Sequence, residues 1–312
     1  MSLFALIVAL LLEQLKPLHT RQHLSGWLSG YLEYFQHHFN SGEYSHGKAA
    51  WWLAMLPILF GGTAVFWGLH YLHPILSIFF NMLALYLSFG FGRFSHGFAD
   101  IQHALHDGKL LEARVMLAAL CGKPADELNA DEIACVTIET SLLAALQHLF
   151  GVIVWFVIFS LLGAGGAVGA LLYCAVRMLR THWVDELNED ESKFCEYACQ
   201  MAVRVEWLPV RLTAATFAIV GNFEDTVYCW RSQAASWSDS ETGILLASAA
   251  GASGVRLGFP IVQAGTRIER AELGVGDKTG AVALQCAIRL VWRSVLFMLL
   301  MLFMLTLASL LR

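Results

Sequence analysis

Residues 207–222 read WLPVRLTAATFAIVGN, and whether this stretch crosses a membrane decides on which side every later charge lies. It is 16 residues long and mostly apolar. As a helix it reaches only ~24 Å at 1.5 Å per residue, short of a hydrocarbon core of roughly 30 Å. Pro209 and Arg211 stand near its start. A re-entrant segment fits this length better than a crossing one. The Gly-rich residues that follow then stay on the same side as the acidic residues that precede.

Working outward, the 312-residue chain is 57% apolar and 14% charged, with a mean hydropathy of +0.58. Such a chain is too apolar for an ordinary soluble domain and reads as a polytopic membrane protein, with the lipid bilayer as its first partner. A net charge of -5 without any basic block excludes nucleic acid as a partner. The seven cysteines, at 121, 135, 174, 195, 199, 229 and 286, form no CxxC pair, so neither a disulfide framework nor a structural metal is expected. Residues 3–12 form an apolar run with no basic residue before it and no small-residue cleavage site after it, which argues against a cleavable signal peptide.

Two apolar stretches, 49–72 and 74–92, are separated by one residue and predict a tight helical hairpin. A second hairpin, 142–162 with 164–179, turns at Gly163, Gly165 and Gly166. Between them, 108–120 and 131–139 read as short helices of a soluble loop. Residues 295–311 hold 17 residues without a charge and read as the last span. Each hairpin returns the chain to its starting side. If 207–222 does not cross, 19 of the 20 Lys and Arg residues lie on one side, as the positive-inside tendency favours, with only Arg312 opposite. The expectation is an all-α bundle of five inserted segments beyond the N-terminal helix, one membrane domain over 1–312, with cytoplasmic loops at 93–141, 177–206 and 223–290.

Three ordered segments carry a resemblance. The loop GKLLEARVMLAALCGKPADELNADEIACVTIET, residues 108–140, is similar to the corresponding loop of the CobD/CbiB family of membrane enzymes in cobalamin biosynthesis, through Glu112-Ala113-Arg114, Gly122-Lys123-Pro124-Ala125 and Val136-Thr137-Ile138-Glu139-Thr140. Trp207–Ala214 resembles that family's W-I-P-A-R-L-T-A. Gly254-Val255-Arg256-Leu257-Gly258-Phe259-Pro260 resembles its G-V-R-L-G-G-P, and is followed by Gly274-Val275-Gly276-Asp277. The resemblance implies an amide synthesis joining an aminopropanol phosphate to cobyric acid with ATP and Mg²⁺. The chain departs from the family where acids and amides are expected: Leu143, Ala144, Gln147, Arg177, Arg180, Ala202 and Val203 stand there instead. Exchanging acids for arginine reverses the local field. This brings the chain close to the AmpE proteins, inner-membrane relatives linked to β-lactamase induction, which share a sequence like Glu206-Trp207-Leu208-Pro209-Val210-Arg211.

The resemblance therefore implies a bacterial inner-membrane protein that binds an anionic, phosphate-bearing small molecule at its cytoplasmic face in an AmpE-like regulatory role. The alternative is a working adenosylcobinamide-phosphate synthase, and only that alternative requires Mg²⁺ and ATP as cofactors. Whether the chain is an enzyme, and whether it forms oligomers, is left open. The expected ligand residues are Arg114, Lys123, Thr137, Glu139, Trp207, Arg211, Gly254, Arg256, Gly258, Asp277 and Lys278. Glu139 and Arg211 are expected to meet, with Arg114, Lys123, Arg256 and Lys278 around one cavity. Each has a plainer reading. Gly251, Gly254 and Gly258 suit either an anion-binding turn or close helix packing. Arg211 needs a partner in either case. His96, Asp100, His103 and Asp107 share one helical face, which is as readily a solvated polar face as a ligand set.

Overall fold

In the computed structural model the described residues are 2–15, 26, 30–35, 38–39, 43–185, 192–263, 266–276 and 280–310. The fold is all-α apart from one short ribbon. In chain order the helices are α1 (Ser2–Leu15), α2 (Tyr44–Leu72), α3 (Pro74–Ser88), α4 (Phe91–His106), α5 (Leu110–Cys121), α6 (Ala130–Ala145), α7 (Gly151–Leu161), α8 (Gly166–Asp185), α9 (Ser192–Val220), α10 (Phe223–Gln233), α11 (Ser240–Ser253) and α12 (Gly280–Leu310). A π-turn, Leu146–Phe150, joins α6 to α7. Strands β1 (Ile261–Gln263) and β2 (Thr266–Ile268) pair antiparallel, with Val262 opposite Arg267. Packing groups the chain that the sequence reads as one domain into two compact units, Met1–Gly90 with Gln147–Pro209, and Phe91–Leu146 with Val210–Arg312.

The first unit holds α1, α2, α3, α7, α8 and the start of α9. The chain breaks helix at His73, which is extended at φ -163° and accepts the Ile75 N–H on its ring at 3.3 Å. Pro74, whose missing N–H costs nothing in a first helical turn, then opens α3. The second hairpin turns where its glycines allow, with Gly163 at φ 74° and Gly165 at φ 91°. Trp51, Met55, Leu179, Trp183 and Phe194 form the buried cluster between α2, α8 and α9. Trp52 Nε1 donates to the Tyr197 hydroxyl at 3.0 Å beside it.

The second unit is built around α6. Its first turn is closed by a capping box, in which Asn129 accepts from the Glu132 N–H at 2.9 Å and Glu132 accepts from the Asn129 N–H at 2.8 Å. Ile101, Leu117, Leu128 and Ile133 pack together where α4, α5 and α6 meet. Burying each such side chain away from water contributes about 1.5–3 kcal/mol. Helix α12 packs along α6 and α11.

Several boundaries differ from the sequence reading. Residues 131–139 are not a separate loop helix. They are the first turns of a continuous helical run, Ala130–Leu161, because the capping box at Asn129 starts the helix well before the apolar stretch does. Helix α12 likewise begins at Gly280 rather than near 295, so Arg289 and Arg293 are helical and not part of a loop. Residues 207–222 are not an independent segment either: to Val220 they form the second half of the 29-residue α9. At 1.5 Å per residue α9 extends ~43 Å, so length no longer argues against crossing. Its charges, Arg204, Glu206 and Arg211 among them, are what set it apart from an apolar span. Among the described residues, three helical runs are long and apolar enough to cross a membrane, Tyr44–Leu72, Ala130–Leu161 and Val282–Ala308, against the five inserted segments expected.

Candidate functional site

Glu139 lies in the third turn of α6, nine residues after Ala130, and is buried inside the second unit. Its carboxylate accepts from three donors: the Gly258 N–H at 3.0 Å, Arg270 Nη1 at 2.5 Å and, more weakly, Cys135 Sγ at 3.3 Å. The Arg270 and Glu139 side chains are only 14% and 9% exposed, so the charges are largely removed from water and must be satisfied by each other.

The Gly-rich segment explains how Arg270 reaches α6. Gly254 ends α11 in the left-handed conformation at φ 63°, and Val255 donates back to the Ala250 carbonyl at 3.1 Å. Leu257 and Leu273 then exchange both backbone hydrogen bonds, at 2.8 and 2.9 Å, which closes residues 257–273 into a loop. Gly258 sits at φ 80°, and any side chain there would meet the Ala271 carbonyl. Only glycine fits, and its N–H is thereby aimed at Glu139. Within the loop Arg270 donates to the Phe259 carbonyl from Nε at 2.9 Å and Nη2 at 2.7 Å, and its guanidinium lies 5.9 Å from the Trp237 ring centroid. The two alternatives left open for the glycines thus divide by position. Gly251 serves close packing, since a Cβ there would press on the Asp225 backbone of α10, whereas the Gly258 turn does bind an anion, the chain's own Glu139.

The expected pairing of Glu139 with Arg211 does not form. Glu139 is committed to Arg270, and Arg211 donates to Glu241 of α11 at 2.8 Å. The reason is the ribbon, which returns Arg270 over α6. Of the other expected ligand residues, Arg256 Nε donates to the Gly276 carbonyl at 3.2 Å, and Arg114 Nε to the Leu128 carbonyl at 2.9 Å. Thr137 is buried and bonds its own helix at Ile133. Lys123 is exposed on the turn after α5, and Trp207, in the first unit, is half exposed. Asp277 and Lys278 lie outside the described residues. His96, Asp100, His103 and Asp107 are all exposed, as suits a solvated polar face. Arg270 and Glu241 are the residues sequence reasoning missed. For Arg270 a signal existed: IVQAGTRI, 261–268, places β-branched residues on either side of Ala-Gly, a hairpin pattern that would have returned the chain.

The CobD/Cbib protein family model matches residues 3–291. A cobalamin biosynthesis protein CobD of Stutzerimonas stutzeri is 30% identical over 300 residues, 95% of each chain. One of Chromobacterium violaceum is 32% identical over 247 residues, 79% of this chain and 75% of its own. One of Streptococcus sanguinis is 24% identical over 94% of each. No solved structure matches. None of these likenesses supports the AmpE-like, regulatory side of the resemblance. On a family model that spans nearly the whole chain, and on relatives alike from end to end, the chain belongs to the CobD/CbiB family.

Proposed function

We propose that this chain works in cobalamin biosynthesis as an inner-membrane, amide-forming synthase that joins an aminopropanol phosphate to a corrinoid carboxylate at its cytoplasmic face. The observation that carries this reading is the likeness to a cobalamin biosynthesis protein, 30% identical over 95% of each chain. It is supported by the way two of the motif segments, the one ending at Glu139 and the one around Gly258, meet in one buried constellation. In that constellation Glu139 is a positioning residue. With three donors on its carboxylate it holds the 257–273 loop rather than moving a proton.

The donor set tests the Mg²⁺ and ATP that the synthase reading implies. Glu139, Glu206 and Glu241 are each paired with an arginine, and no group of three His, Cys, Asp or Glu gathers among the described residues. These residues do not fit a divalent ion held by clustered carboxylates. This observation favours a second reading, a member that binds a phosphate-bearing ligand without joining it.

Expression in a strain lacking its own synthase separates the two. Restored cobalamin synthesis from cobyric acid and aminopropanol phosphate is expected, and its loss in Glu139→Gln, with the protein still present in the membrane. A chain that is stably inserted and binds a phosphate ester yet restores nothing would replace the first reading by the second.

A further inference from the structure

A second polar constellation lies in the first unit, where the sequence departs from the family's pattern. Tyr173, Arg177 and Arg180 fall at i, i+4 and i+7 on α8, one stripe of a helix otherwise rich in Ala, Val and Leu. The stripe runs from buried to open. Tyr173 is 2% exposed and its hydroxyl has no hydrogen-bond partner among the described residues. Arg177 is half-buried, and the side chain of Arg180 is 38% exposed.

The neighbouring elements leave this stripe short of negative charge. Arg177 Nη1 donates to the backbone carbonyl of Gln147, within the π-turn Leu146–Phe150, at 2.6 Å. No carboxylate pairs with Arg177 among the described residues. Glu206 of α9 is met by Arg180 at 3.5 Å. Among the described residues Arg177 thus has a carbonyl and Arg180 a long contact to a carboxylate, beside a buried phenol whose proton goes unused. Gly151 makes room for that phenol, since a Cβ there would strike the Tyr173 ring and oxygen. A half-buried cation facing only a carbonyl is costly in an apolar helix, and the missing partner is an anion with several acceptor oxygens.

We infer that Tyr173, Arg177 and Arg180 form a binding site for a phosphate group, with Arg177 as its main cation and the Tyr173 hydroxyl donating from below. The phosphate is that of a soluble ester or of an anionic lipid headgroup. The site is separate in residues from the Glu139 constellation and does not rest on the synthase reading.

The test uses the full chain in nanodiscs of phosphatidylcholine titrated with inorganic phosphate, and in parallel nanodiscs of mixed phosphatidylcholine and phosphatidylglycerol from which bound lipid is counted. Arg177→Gln is expected to weaken phosphate binding, or to lower retained phosphatidylglycerol, by ~10-fold, Tyr173→Phe by a smaller factor, and Arg177→Lys to keep part of it. Because Arg177 lacks a carboxylate, Arg177→Gln without phosphate should unfold at an unchanged or higher temperature, which separates lost binding from lost folding. Loss in the first arm identifies a soluble ester and loss in the second a headgroup. If neither phosphate nor phosphatidylglycerol binds, or if binding is the same in wild type, Arg177→Gln and Tyr173→Phe, the site does not exist.

Discussion

At the scale of single residues, the buried Glu139 and Arg270 pair holds the second unit's loop to its central helix. Removing one charge strands the other out of water, so Glu139→Ala should lower stability by about 3–5 kcal/mol, read from unfolding in detergent. The double substitution Glu139→Ala with Arg270→Met removes both charges and should regain most of that stability while leaving the protein inactive. If Glu139→Ala costs under about 1 kcal/mol, the pair does not hold the loop. The sequence singled out Glu139 and Gly258, which the fold brings together, but supplied Glu139 with the wrong cation. Charge partners over long separations are set by backbone turns, and the deciding turn here, around residues 258–268, is written in glycine conformation and a short ribbon rather than in charge spacing.

At the scale of elements, apolar runs located the helices and misjudged where they start. Helix α6 begins at a polar capping box and α9 in the charged stretch SKFCEYACQ, so both carry turns that hydropathy alone assigns to loops. The contact between α5 and α6 offers a measurement. Cys121 ends α5 with its Sγ 3.4 Å from the Thr140 hydroxyl. Burial pushes this thiol above its ordinary value, and the hydrogen bond with Thr140 and the charge of Lys123 draw it partly back. A raised folded value means the thiol form stabilises fully at pH below the unfolded value, about 8.5, and that contribution is lost as pH rises through the folded value. Alkylation of Cys121, followed by mass spectrometry, should be slower than that of a free thiol at pH 7.5 and gain more than it on moving to pH 9.5. Thr140→Val should slow it further. Equal rates in wild type and Thr140→Val would show that the hydrogen bond does not act on the thiol.

For the molecule as a whole, the topology expected from charge can be read by cysteine labelling from either side of the membrane. Ser236 is exposed and suits a probe, whereas Gly276 does not, because a side chain there would strike the Gly254 backbone. Glu272, also exposed, takes its place. Both positions should label from the cytoplasmic side, and labelling of either only from outside would show that the α9 helix crosses the membrane, against the charge distribution. The two compact units carry one more consequence, for the order in which the protein is made. Each is assembled from two stretches that alternate along the chain, so the ribosome delivers half of the first unit, half of the second, then the remainder of each. At about 5–20 residues per second, the helices before residue 90 wait roughly 6–24 s for their partners up to residue 209. During that wait the early hairpin has no α8 to cover it. A gene split after residue 146 should therefore yield two fragments, neither of which persists alone, that recover a stable protein when made together.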